Sequence, residues 1–150
     1  MSLKIYLGAD HAGFALKEKI KEWLSKKDIY FEDFGSYDSK MSDDYPDYAF
    51  KVGEKVARHK EAKGILICGS GTGMVIATNK VKGIRASMAY DSYSAKMARI
   101  DNDANVLCLR AREMPMKEDL NIVKTWLRTN FSGKDRHKRR IKKIEKYEQR

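Results

Sequence analysis

The chain has 150 residues, 42% hydrophobic and 35% charged, with a formal net charge of +10; that length fits one domain, residues 1–150, able to bury about two-thirds of its unfolded surface. No apolar run approaches the roughly 20 residues that cross a bilayer, and two cysteines, Cys68 and Cys108, are too few for a disulfide framework. The N-terminus turns polar directly after one short apolar run, so no signal peptide is expected, the cytoplasm is the expected compartment, and both thiols are expected free.

In chain order, apolar runs alternate with amphipathic segments. Lys4–Gly8 (KIYLG) reads as the first strand. Phe14, Leu16, Ile20, Trp23 and Leu24 then make a helical stripe, with Lys17, Glu18, Lys19, Lys21 and Glu22 mostly on the opposite face. Ile29–Phe34 is the second strand, and a helix spans Tyr45 to about His59 with Pro46 in its first turn. Gly64–Cys68 precedes a helix over Thr72–Lys80, Ile84–Ala89 one over Ser92–Ile100, and Asn105–Leu109 one over Lys117–Thr129; His137–Tyr147 closes the chain. Such alternation predicts a mainly parallel five-stranded sheet with helices on both faces. Ligands of these sheets bind beyond the carboxyl ends of the strands, where strand order reverses. The loops directly after the runs are therefore where chemistry is expected.

The charge is unevenly spread, since Gly133–Arg150 carries nine Lys/Arg against three Asp/Glu. That tail lacks basic and aromatic residues in alternation, so it reads as a solvated helix or an anion site and no nucleic-acid partner is expected.

After the first run comes Gly8-Ala9-Asp10-His11-Ala12-Gly13. Asp10 can cap the next helix. His11 is less needed for capping and can donate to a hydroxyl or phosphate, or move a proton near neutral pH. After the third run comes Cys68-Gly69-Ser70-Gly71-Thr72-Gly73, whose glycines let backbone N–H groups converge on an anion at a helix start. It lacks both the GK[ST] of a Walker loop and the GxGxxG spacing of a dinucleotide site. Cys68 reads either as a small buried hydrophobe or as a base or nucleophile at a helix start. After the fifth run, Arg110 and Arg112 suit phosphate, and Asp101-Asn102-Asp103 stands just before it. In the tail, Arg136, His137, Arg139 and Arg140 open a helix, an unfavourable place for cations unless an anion is bound.

Five blocks, GADHAGFALKEKI, DYPDYA, GILICGSGTGMVIATNKVKGIRA, NDANVL and GKDRHKRRI, cover nearly the whole chain. In order and spacing they resemble the type B ribose-5-phosphate isomerase family, which includes galactose-6-phosphate isomerase subunits. The resemblance implies a Rossmann-like three-layer αβα sandwich with a basic C-terminal helix, assembled as a homodimer or a dimer of dimers. It implies interconversion of ribose 5-phosphate and ribulose 5-phosphate, a pentose phosphate pathway step, without metal or cofactor. A base moves a proton between neighbouring carbons through a cis-enediol. By position, Cys68 falls on that base, and the glutamate of the other subgroup is replaced by Met74. Ser70 matches a hydroxyl assisting at the sugar oxygens. Gly69, Gly71 and Gly73, with Thr72 among them, match the turn that stabilises the enediolate. Asp10, His11 and Tyr45 match substrate contacts, Asn102 a residue near the reacting end, and Arg112, Arg136 and Arg140 the phosphate-binding arginines, with His137 in the same RHxxR pattern.

One position departs from the family pattern. Members carry His-Asn-Asp or His-Asn-Asn where this chain has Asp101-Asn102-Asp103, and that histidine is assigned to opening the furanose ring. A carboxylate is a poor acid at neutral pH. Asp101 acts there with a raised pKa, or His11 takes over, or ring opening is left to solution, or the substrate is another sugar phosphate. The alternatives to a five-carbon isomerase are a six-carbon isomerase for allose or galactose 6-phosphate and a catalytically weak sugar-phosphate-binding protein.

Overall fold

In the computed structural model, which describes residues 3–150, every apolar run becomes a strand and every amphipathic segment a helix. The strands are β1 (Lys4–Ala9), β2 (Tyr30–Asp33), β3 (Ala62–Cys68), β4 (Ala86–Met88) and β5 (Val106–Arg110). The helices are α1 (Phe14–Lys26), α2 (Tyr45–Arg58), α3 (Thr72–Thr78), α4 (Ser92–Asn102), α5 (Met116–Arg128) and α6 (Asp135–Glu148), and a 3-10 turn at His11–Gly13 leads into α1. The sheet order is β2-β1-β3-β5-β4, and all four pairings are parallel, so the sheet is wholly rather than mainly parallel.

The central strands are buried on both faces, which is why they read as continuous apolar runs. Their side chains still alternate between two cores. Ile5, Leu7, Ala9, Ile65, Ile67, Leu107 and Leu109 meet Leu16, Ile20 and Leu24 of α1, Ala95 and Ala98 of α4, and Ile122, Val123 and Trp126 of α5. Tyr6, Leu66, Cys68, Val106 and Cys108 meet Ala49, Val52 and Val56 of α2 and Met74 and Ala77 of α3. The period of two along each strand thus partitions the helices into two layers.

Lys17 corrects the helical stripe. Read as a solvent-facing residue of α1, it is fully buried, with its Nζ 2.5 Å from Asp33 Oδ2 and over the rings of Phe14 and Tyr37. Lys21 also donates to Asp33 Oδ2, at 2.8 Å. Burial pushes the Asp33 carboxyl up, but the two lysines and the Gly35 N–H outweigh it and hold the group below the usual carboxylate range. A buried lysine with this pairing fastens α1 to the end of β2.

Strand order reverses between β1 and β3, because the chain steps from β1 out to β2 and then returns past β1 to β3. The ends of these neighbours are level, with Ala9 opposite Ile67, and on the other side Cys68 stands opposite Arg110. The crevice predicted by the open α/β rule therefore lies between the Asp10–Gly13 turn and the Cys68–Gly73 loop.

Candidate active site

Cys68 closes β3 and is 4% exposed. The Gly71 N–H donates to its Sγ across 3.1 Å, a contact that a negatively charged sulfur would accept. Cys108 shares the same core but is wholly buried, and desolvation, followed by the nearby Cys68, pushes its thiol well up. The two cysteines are therefore not equivalent. Cys108 is a small hydrophobe, and Cys68 sits at a strand end under a turn of backbone N–H groups.

That turn needs its glycines for different reasons. Gly71 has φ +78, and a methyl there would lie 3.1 Å from the carbonyl carbon and oxygen of Leu109. A side chain on Gly73 would meet Tyr45 Cζ at 2.6 Å, so the tyrosine ring rests directly on the loop. Over Gly69 lies the Arg112 guanidinium, with Nη1 3.0 Å from where a Cβ would stand. Arg112 is held there because its own N–H donates to the Gly69 carbonyl at 3.1 Å. Ser70 and Thr72 are exposed between these groups. Gly71→Ala is expected to cost about 1–2 kcal/mol through the left-handed backbone alone, measurable by urea denaturation, and to lower turnover more than stability by moving the Gly71 N–H off Sγ.

On the β1 side, Asp10 is 7% exposed and accepts from the Gly13 N–H at 3.0 Å. Burial, the leading cause, pushes its carboxyl up despite that hydrogen bond. Asp10 thus caps the 3-10 turn at His11–Gly13 rather than α1 itself, whose N-cap is Gly13 with no side-chain cap. His11 is half-buried, and its ring Nδ1 lies 2.8 Å from Asp43 Oδ1. Asp43 carries no mark in the sequence, where nothing distinguishes one aspartate of the Asp43-Asp44 pair. Asp10, His11 and Asp43 offer ligand atoms within 4.8 Å of one another and could hold a cation. Each carboxylate, however, already has a donor from the chain itself, Gly13 N–H for Asp10 and His11 for Asp43.

The remaining expected residues do not join this group. α4 starts after the carboxyl end of β4 and stops just before β5 begins, so Asp101 and Asn102 lie at the amino end of the sheet. The helix alone spans about 16 Å. The Asn102 carbonyl accepts there from Arg85 Nε at 3.0 Å, and Asp103 pairs with Arg85 and Arg99. Asp101 is 3.4 Å from His137 Nε2. His137, expected at phosphate, is 3% exposed instead, its Nδ1 2.7 Å from Ser132 Oγ and 3.2 Å from the Ile100 carbonyl. Arg136 Nε approaches its Nε2 at 3.1 Å, so His137 fastens α6 to the end of α4 and steadies Arg136. Arg136 and Arg140 themselves are exposed. Within one chain the site residues therefore fall into two clusters, one at each end of the sheet.

Comparison with known proteins gives one consistent picture. Residues 5–144 match the family model described as Ribose/Galactose Isomerase. The chain is 41% identical to the ribose-5-phosphate isomerase B of Escherichia coli, over 98% of this chain and 97% of that protein. It is 39% identical to D-erythrulose-4-phosphate isomerase 2 of Mycolicibacterium smegmatis, over 99% of each. A crystal structure of ribose-5-phosphate isomerase B from Mycoplasma genitalium with bound ribulose-5-phosphate superposes with a TM-score of 0.95 at 43% identity, covering 99% of this chain and 98% of that one.

Proposed function

Since the chain belongs to the ribose/galactose isomerase family, we propose that it interconverts ribose 5-phosphate and ribulose 5-phosphate through a cis-enediolate. The observation that carries this reading is the Gly71 N–H aimed at Cys68 Sγ at 3.1 Å. In this mechanism the Cys68 thiolate removes the proton from the carbon beside the carbonyl and returns it to the neighbouring carbon. Met74, fully buried in the core, has no proton to trade. The exposed Ser70 and Thr72 hydroxyls and the N–H groups of the Gly69–Gly73 turn meet the oxygens on which charge develops. Tyr45, resting on Gly73, limits how the sugar lies, and Arg112 over Gly69 holds the phosphate end.

The second cluster belongs to the same reaction through a second copy of the chain. Asp101 and Asn102 stand at the amino end of the sheet, too far along α4 to reach Cys68 of their own chain, and the start of α6, with Arg136 and Arg140, is fastened to that same end through His137. A two-fold homodimer that sets this end against the partner's Cys68 loop gives two complete sites related by symmetry.

A second reading of the substrate is favoured by Asp101. A tetrulose 4-phosphate has its carbonyl at the second carbon and its terminal oxygen esterified, so it cannot close a five-membered ring. Such a substrate needs no ring-opening acid, and relatives named for D-erythrulose 4-phosphate align over most of the chain. Kinetics on ribose 5-phosphate, erythrulose 4-phosphate, allose 6-phosphate and galactose 6-phosphate decide between these. Asp101→His is expected to raise turnover on ribose 5-phosphate by about 10-fold or more if proton transfer at the ring limits the rate, with the gain confined to cyclic sugars. Wild-type preference for the tetrulose phosphate would shift the assignment to the acyclic substrate, and turnover of none of the four would leave only the binding-protein reading.

A further inference from the structure

Asp43 lies 32 residues from His11 in sequence, in the segment that joins β2 to α2, yet it engages that histidine twice through one oxygen. Oδ1 accepts the His11 backbone N–H at 2.9 Å and stands 2.8 Å from ring Nδ1. The other oxygen accepts the Tyr48 hydroxyl at 2.8 Å. Burial pushes the Asp43 carboxyl up, but hydrogen bonds from the His11 N–H, the His11 ring, Tyr48 and Ser36 outweigh it and keep the group below the usual carboxylate range. The carboxylate therefore stays charged and is fixed from both sides.

The His11 ring is 29% exposed, and its loop follows the end of β1, where Asp10 N–H donates to the Ile67 carbonyl next to Cys68. With Nδ1 turned to Asp43, Nε2 is the nitrogen left for the crevice. A free imidazole has two tautomers and a rotating ring, and a carboxylate on one nitrogen removes both freedoms.

We infer that Asp43 is a positioning residue for the proposed isomerase reaction, holding His11 in one tautomer and one ring orientation so that Nε2 meets the bound sugar phosphate. The inference rests on the isomerase reading for its kinetic test but not for its spectroscopic one. A residue that only ties down the β2–α2 segment would show the same hydrogen bonds but no energetic link to the His11 ring.

The test is a double-mutant cycle on the full-length protein with ribose 5-phosphate or the sugar phosphate the panel selects. Asp43→Ala is expected to lower kcat/KM by about 10- to 100-fold. In a His11→Ala background the same change is expected to cost less than about 2-fold, because its effect runs through a ring already removed. Equal losses in both backgrounds, or no loss in either, overturn the inference. Asp43→Asn keeps the acceptor and the shape while removing the charge, and covers the case in which Asp43→Ala fails to fold; its loss should also vanish in the His11→Ala background. Independently, 15N spectra of the His11 ring should report one dominant Nδ1–H tautomer in the wild type and a mixture in Asp43→Asn. A wild-type ring that already samples both tautomers overturns the inference even if turnover is normal. Absence of turnover on every sugar phosphate sinks the isomerase reading instead, and the ring spectra still decide the role of Asp43.

Discussion

Cys68→Ala is expected to lower isomerisation by roughly 10²- to 10⁴-fold, the range a positioned general base supplies. The assignment is narrow because the alternatives fail for separate physical reasons. Cys108 lies in the same core but is wholly buried, and desolvation keeps it a thiol. Met74, one turn further on, is apolar and fully buried. Of these three, Cys68 alone combines a strand-end position, an N–H donor at 3.1 Å and a neighbouring pair of exposed hydroxyls. Two measurements check it, turnover and the incorporation of solvent deuterium at the carbon that exchanges its proton. Both should fall together in Cys68→Ala, while phosphate-dependent ligand binding persists because Arg112 is untouched. Cys108→Ala serves as the control and should affect stability rather than exchange. If Cys68→Ala exchanges deuterium at the wild-type rate, the base lies elsewhere.

The layout of the fold was readable from residue patterns because each physical cause there is local. Apolar runs such as GILIC mark strands buried on both faces, and the Phe14–Leu24 stripe marks a helix lying on them. The Cys68–Gly73 loop was readable too, since a turn that must expose N–H groups needs glycine in its left-handed backbone, as Gly71 has. What escaped was set by tertiary contact. Lys17 sits among charged neighbours and looked solvated, yet Asp33, 16 residues away, buries it. Asp43 carries no local mark at all, and only the return of the β2–α2 segment to the end of β1 gives it His11. His137 sits in a run of basic residues, but its ring turns inward to Ser132 and Ile100. The separation of Asp101 and Asn102 from Cys68 follows from connectivity: a helix that leaves the carboxyl end of one parallel strand must deliver its own end to the amino end of the next.

Mixing two inactive variants is expected to restore activity, and this is the sharpest consequence of that separation. In the proposed homodimer each site takes its Cys68 loop from one chain and Arg136 and Arg140 from the other. Cys68→Ala homodimers then lack the base in both sites, and Arg136→Ala/Arg140→Ala homodimers lack part of the phosphate grip in both. A heterodimer of the two concentrates both lesions in one site and leaves the other with a full wild-type set. After denaturation and refolding at equal ratio, half of the dimers should be mixed, each with one intact site, giving about a quarter of wild-type activity. If all the residues of a site came from one chain, no mixed dimer would hold an intact site and the mixture would stay as inactive as its parents. The geometry makes the same-chain arrangement costly, since α4 would have to place Asp101 and Asn102 at both ends of a helix about 16 Å long. His137 gives the design a further check. Its contacts tie Arg136 to the end of α4, so His137→Ala should behave as an Arg136-side lesion, complementing Cys68→Ala and failing to complement Arg136→Ala/Arg140→Ala.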